Sequence, residues 1–226
     1  MKDESKRPGV KNKVFDRAYF ISGYYSDTLN RPSRKYAKTV DFFRKHNVIK
    51  VLDLGCGVGR HTVLLARDGF EVYGFDYSPS AVKETKKLLR NSSLDAKILV
   101  YNMDKRFPYK DSFFDAVFAS RTIYQTKIDR IKKRLSEVRR VLKDGGYLYW
   151  EGPTYKATYY SAKGEKRIEI EPGTTLSIGG VFADTYYHRF RSKEELRTLL
   201  TGFKILRFDF RGRTYKLLCQ KTAEVE

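Results

Sequence analysis

The sequence is poor in the residues that build metal sites, redox centres and histidine-based catalytic machinery. It holds two cysteines and three histidines in 226 residues. Cys56 and Cys219 lie far apart and fit neither a zinc nor a redox spacing, so no metal site is expected and a reducing compartment is. No run of about 18 apolar residues occurs, which excludes a membrane-spanning helix and a membrane partner. The opening MKDESKRPGVKNK carries charge where a secretory leader needs an apolar stretch. A soluble, cytoplasmic protein is the expectation. Internal repeats and low-complexity runs are also missing. Acidic residues are in short supply, 27 Asp and Glu against 46 Lys and Arg, a net charge of +19.

An excess of that size suits a nucleic-acid partner, attraction to an anionic surface or merely a generally basic proteome, so its placement matters. Residues 1–50 carry 13 basic and 5 acidic side chains. A second basic group spans Lys127 to Lys143. There Ile128, Ile131, Leu135, Val138 and Leu142 recur at spacings of three and four, an amphipathic helix whose charges form a solvated face. The length fits a single domain, 1–226, able to bury roughly 70% of its unfolded surface.

Apolar strands then alternate with helical patterns. Tyr36 to Lys45 reads as a helix. Strands are expected at Val48 to Leu54, Glu71 to Phe75, Ala96 to Tyr101, Asp115 to Ala119 and Gly146 to Glu151. Helices are expected at His61 to Asp68 and Pro79 to Arg90, and over the basic stripe. Alternation of this kind predicts a parallel sheet covered on both faces. Ser78 caps a helix with Pro79 at its first position, and the glycines of LKDGGY close the basic helix. Residues 152–190 form a Tyr-rich insertion or hairpin arm, with EKRIEIEPGTTLSIGGVF as the hairpin. Ser192 and Glu195 make a capping box, and two antiparallel strands flank Arg211 to Arg213.

The stretch VLDLGCGVGRHT places Gly55, Gly57 and Gly59 between a strand and a helix, a turn where a ligand meets bare backbone. It is not the dinucleotide fingerprint, since Arg60 holds the third glycine's position, and no Gly-Lys-Ser/Thr follows to make a phosphate loop. Asp53 before the turn would repel a pyrophosphate and suit a cation. Asp76, at the end of the next strand, is placed for two ribose hydroxyls. A nucleoside with a positively charged, unphosphorylated tail fits both acids, which points to S-adenosylmethionine.

At these residues the sequence resembles the class I S-adenosylmethionine-dependent methyltransferases. VLDLGCGVGRHT is similar to their first motif and VYGFDYSPSAV to their ribose motif. YNMDKRFPYKDSFFDAVFAS resembles their adenine-binding and fourth-strand segment, and EVRRVLKDGGYLYWEGP the following helix and fifth strand. The likeness runs from about Lys50 to Lys221. It implies an α/β fold, a seven-stranded mostly parallel sheet with an antiparallel last strand and helices on both faces, and methyl transfer by in-line displacement.

It also implies roles. Gly55 and Gly57 would admit the methionine part and the ribose, Asp53 would lie near the amino group, and Gly59 would let the next helix pack closely. Asp76 would hold the ribose diol and Tyr77 cover an adenine face. Cys56 falls within the cofactor turn as a small filler, and Ser120, just after the expected fourth strand, is a further cofactor-binding candidate. The adenine-amine acceptor is Asn102 or Asp104, with Met103 between them against the ring.

Histidine scarcity leaves the base unassigned, with His188 the weak candidate; His46 and His61 read as exposed and as capping or packing residues. Acceptor choice falls to the N-terminal capping segment, residues 1–47, where Tyr24, Tyr25 and Arg31 are the substrate candidates, and to the insertion. A small-molecule acceptor is the first expectation. An RNA methyltransferase is the alternative that the net charge of +19 motivates. A non-catalytic cofactor-binding scaffold is the third.

Overall fold

The computed structural model describes residues 34–157, 166–179 and 182–223. Helix α1 (Arg34–Lys45) leads to strand β1 (Lys50–Leu54), α2 (Arg60–Arg67), β2 (Glu71–Asp76), α3 (Pro79–Asn91), β3 (Lys97–Val100) and β4 (Phe114–Ser120). Then come α4 (Ile128–Val141), β5 (Leu142–Pro153), β6 (Lys166–Glu171), β7 (Thr174–Ile178), β8 (Tyr186–His188), α5 (Lys193–Thr198), β9 (Phe203–Arg211) and β10 (Thr214–Lys221).

Seven strands form one sheet in the order β3-β2-β1-β4-β5-β10-β9. The first five run parallel and β10 is antiparallel to both of its neighbours. The chain moves outward from β1 to β3, then restarts on the other side of β1 with β4. That reversal opens a crevice beyond the carboxyl ends of β1 and β4, where sheets of this kind take their ligands. The expected seven-stranded, mostly parallel sheet is therefore the observed one.

Alternate strand residues serve opposite faces. Leu52, Leu54, Phe75, Val117, Leu148 and Trp150 pack under Ile131, Leu135 and Val138 of α4 and Leu196 of α5. Val51, Val72, Phe118, Tyr149 and Leu218 face Tyr36, Val40 and Phe43 of α1 and Leu65 of α2. Helix α3 makes its own cluster, Val82 and Leu89 against Ile98 and Cys56.

Three expectations change. The charged side of α4 is only in part a solvated face. Arg134 is buried and bonded to Asp104 and to the Ile123 carbonyl, and Arg140 binds Glu137, Asp111 and the carbonyls of Phe107 and Tyr109. Strand β5 begins at Leu142, before the glycines, because Leu142 already pairs with Phe114, and the register shift before Ala116 is taken up by extra residues of β5 ahead of Tyr147. The insertion is more than a hairpin, since β8 joins β6 and β7 in a separate three-stranded sheet. Most of the 1–47 capping segment, with Tyr24, Tyr25 and Arg31, lies outside the described residues.

Candidate active site

The bend after β1 is locked from within. The amides of Gly55 and Cys56 donate to the Phe75 carbonyl at 3.0 and 3.1 Å, Gly59 N–H donates to the Cys56 carbonyl, and Gly57 N–H donates to Asp76 Oδ2 at 2.9 Å. The bend's bare backbone is thus not a nest of free N–H groups. An anion needs such groups pointing outward, so a phosphate has little to hold here. Gly55, Gly57 and Gly59 have φ of 69°, 55° and 87°, the left-handed region that disfavours side chains.

The glycines differ in what surrounds them. A Cβ on Gly59 would stand 2.7 Å from Thr85 Cγ2 and 3.0 Å from its Cα, so Gly59 brings the start of α2 against α3 as expected. Beside Gly55 the space is filled by the chain itself. A Cβ there would meet Thr122 Oγ1 at 2.1 Å and Met103 Cε at 3.2 Å. Gly55 therefore admits the loop after β4 rather than a ligand, and Met103, whose sulfur accepts from Thr122 Oγ1 at 3.7 Å, lies beside that loop.

Asp76 ends β2 buried, its Oδ1 accepting from Ser78 N–H at 2.9 Å while Oδ2 holds Gly57. Tyr77, half-buried, follows it at the crevice. Asp53 is buried at the end of β1 and receives the Thr62 hydroxyl at 2.7 Å. No basic side chain pairs with Asp53 among the described residues. Burial pushes its carboxyl up to about 7, against the help of Thr62. A cation beside it would relieve that burden.

Other assignments move. Cys56 is buried and packed among Val82, Leu89 and Ile98, and burial raises its thiol far above the ordinary range, so it is the filler and not a reactive group. Asp104 is taken. Arg134 meets its Oδ1 at 2.7 Å and Arg130 its Oδ2 at 2.7 Å, and although burial works against ionisation these arginines hold the carboxyl low. It ties the loop after β3 to α4, which leaves Asn102, whose Oδ1 accepts from Asp104 N–H, as the adenine-side candidate. His188 is corrected as a base. It is buried with Nδ1 at 2.7 Å from Thr174 Oγ1 and Nε2 at 2.9 Å from Glu195 Oε1, so both nitrogens are spent in joining β7, β8 and α5.

Ser120 turns toward a residue that sequence reasoning passed over. Its Oγ donates to Glu151 Oε1 at 2.5 Å, and Tyr149 OH donates to Glu151 Oε2 at 2.7 Å. Glu151 lies two residues before the end of β5, toward the carboxyl edge of the sheet, and its place at the end of the expected fifth strand was the available signal. Thr62, Thr85 and Thr122, which brace the bend, carried none.

Residues 52–150 match the model of the family described as a methyltransferase domain, over this same bend and strand order. The chain belongs to the class I methyltransferase superfamily. It is 35% identical over 97 residues to an uncharacterized methyltransferase of Synechocystis, the match covering 43% of each chain. This chain spans about half or less of the curated relatives that it matches first, 43% and 50% of their lengths. Among solved structures it is similar to a SAM-dependent methyltransferase of Methanosarcina mazei, with 25% identity, TM-score 0.65, and 80% of this chain and 98% of that one covered. It shares the fold of a Burkholderia thailandensis 1,6-didemethyltoxoflavin-N1-methyltransferase solved with S-adenosylhomocysteine, at 16% identity, TM-score 0.64 and coverage of 99% and 94%.

Proposed function

We propose that this methyltransferase-superfamily chain transfers a methyl group from S-adenosylmethionine to a small-molecule acceptor by in-line displacement. One observation carries the reading: the bend spends the N–H groups of Gly55, Cys56, Gly57 and Gly59 inside the chain while buried carboxylates stand on either side, Asp53 and Asp76. Such a cradle suits a neutral sugar joined to a cationic tail and resists a phosphate. Asp76 would accept from the ribose diol beside the Gly57 and Ser78 amides that fix its carboxylate. Asp53 would face the amino-acid end of the cofactor, and Asn102 and Tyr77 its adenine.

Bound there, the cofactor supplies a methyl already activated by its sulfonium. The chain's part is to align an acceptor with that bond, an effect worth roughly 7 to 11 kcal/mol when geometry is well fixed. No histidine base is needed for an acceptor that attacks as a neutral nucleophile. The internal pairing of Arg130, Arg134 and Arg140 removes part of the cationic face on which RNA binding would draw, and so favours a small acceptor.

The test is calorimetric titration with S-adenosylmethionine and S-adenosylhomocysteine, followed by labelled methyl transfer over metabolite and RNA fractions. Binding of both nucleosides with label in metabolites is expected. Label in RNA alone, falling steeply with salt, would replace the acceptor class, and no binding would overturn the reading.

A further inference from the structure

The acceptor's chemistry can be read from a polar cluster outside the cofactor cradle. Register places it. Asp53 pairs with Phe118, Phe118 with Tyr149, and Ser120 with Glu151. Alternation along the strands then puts Ser120 and Glu151 on the same side as Asp53, at the carboxyl edge, two strands across from the glycine bend. His61, from the first turn of α2, lies against this cluster, its ring 4.8 Å from that of Phe118 and 5.9 Å from that of Tyr36.

Glu151 is held rather than loose. Each of its oxygens accepts one hydroxyl, Ser120 at 2.5 Å and Tyr149 at 2.7 Å, and Lys216 Nζ approaches to 4.0 Å. Burial works against its charge, but the two hydroxyls, then His61 and Lys216, keep the carboxyl below its ordinary range. Its side chain is still 17% exposed, and a carboxylate with two donors has lone pairs to spare. Tyr149 cannot act as a base or ready acid, since burial and Glu151 raise its phenol strongly. His61 is kept neutral, lowered to about 4 chiefly by burial. Neither ring nitrogen of His61 has a hydrogen bond among the described residues. The cluster is thus one fixed negative charge, with the Lys216 ammonium at its rim, beside one neutral ring.

Building on the methyltransferase reading, we propose that Glu151 is an acceptor-binding residue, positioned by Ser120 and Tyr149, and that the acceptor is an amine. When an amine nitrogen attacks the methyl, a nitrogen–carbon bond forms and the carbon–sulfur bond breaks. Sulfur leaves with the electron pair as a neutral thioether, and nitrogen takes up the positive charge as a methylated ammonium. A carboxylate already oriented beside that nitrogen stabilises the charge as it arrives, without reorganisation. An amine that arrives protonated first gives its proton to water. A carboxylate or phenolate acceptor would meet Glu151 as a like charge.

The experiment compares the parent with Glu151→Gln, which keeps the shape and removes the charge. The parent is given S-adenosylmethionine with matched small amines, carboxylic acids and phenols, and products are read by mass spectrometry. Amine binding is measured separately by calorimetry in the presence of S-adenosylhomocysteine. The parent is expected to methylate amine nitrogen. Glu151→Gln should lose about 100-fold in kcat/KM for amines, on the scale of a preorganised polar group. It should bind amine more weakly and keep its affinity for S-adenosylhomocysteine within about 2-fold. Glu151→Asp should keep the preference for amines, and Ser120→Ala should fall between it and Glu151→Gln, which secures the test if Glu151→Gln does not fold. Preference of the parent for carboxylic acids or phenols, or undiminished amine methylation by Glu151→Gln, would overturn the proposal while leaving the cofactor reading intact. A parent that binds no S-adenosylhomocysteine would overturn both.

Discussion

Alanine at Gly59 tests the joint between the cofactor bend and α3. Two costs are legible. The backbone at φ 87° is left-handed, which charges a side-chain-bearing residue about 1–2 kcal/mol. The new Cβ would also press on Thr85, 2.7 Å from Cγ2, 2.8 Å from Oγ1 and 3.0 Å from Cα. Forcing an extra carbon into a packed site costs typically about 1–3 kcal/mol. The single variant is therefore expected to lose about 2–5 kcal/mol of unfolding free energy. Thr85→Ala alone removes the γ atoms and the hydrogen bond from Oγ1 to the Gly57 carbonyl, 2.8 Å long, a loss of about 1 kcal/mol. In the double variant the side-chain clash has gone and the left-handed backbone dominates, so Gly59→Ala should then cost only about 1–2 kcal/mol. The cycle, measured by urea denaturation with cofactor titration alongside, should return a favourable coupling of about 1–3 kcal/mol. Additivity within about 0.5 kcal/mol would refute the idea that Thr85 is what Gly59 makes room for.

Three further outcomes are expected. Asp76→Ala should weaken cofactor binding by about 1.5–3 kcal/mol, and because the Gly57 and Ser78 amides lose their acceptor it should also lower stability by about 1–3 kcal/mol; unchanged affinity in calorimetry would remove the ribose from Asp76. Asp53 has a native carboxyl raised from 3.8 to about 7, so its contribution to free-protein stability is full below about pH 4 and gone once pH has risen through 7. Asp53→Asn should flatten the melting temperature across that window and abolish the tightening of a cationic cofactor as pH rises through it; a slope that persists would assign the titration elsewhere. Arg134→Met strands Asp104 with Arg130 alone and should cost about 3 kcal/mol, with Asp104→Leu in the same chain recovering part of it; thermal melts of the three variants decide.

What the sequence disclosed follows from the range of each interaction. Ser78 could be read as a cap because the hydroxyl that holds the Ala81 amide sits three residues away from it. The hairpin of β6 and β7, the strands around Arg211 to Arg213 and the glycine bend are equally local. Asp76 declared itself by standing at the end of an apolar strand. Glu151 stood in the same way at the end of the expected fifth strand, but its meaning depends on Ser120, 31 residues earlier, and only strand register brings them together. Arg134 falls three residues after Ile131 and four before Val138, on the buried stripe of α4, so its burial was legible as an exception in the pattern. Its partner Asp104 was not, being 30 residues away in a loop. His188 looked available because a chain position says nothing about whether Thr174 and Glu195 have already claimed both nitrogens.

The seventh strand of the main sheet to be synthesised is not the seventh in space. Residues 214–221 slot between two strands made before them, hydrogen-bonding Tyr147 to Pro153 on one side and Phe203 to Arg211 on the other. Until that segment leaves the ribosome, β9 has nothing to pair with and β5 presents an open margin rich in Tyr and Trp. Assembly must therefore end by insertion rather than by addition at the rim. A chain shortened before Thr214 would lose the buried Tyr215, Leu217 and Cys219 and expose two sticky margins, a liability for aggregation.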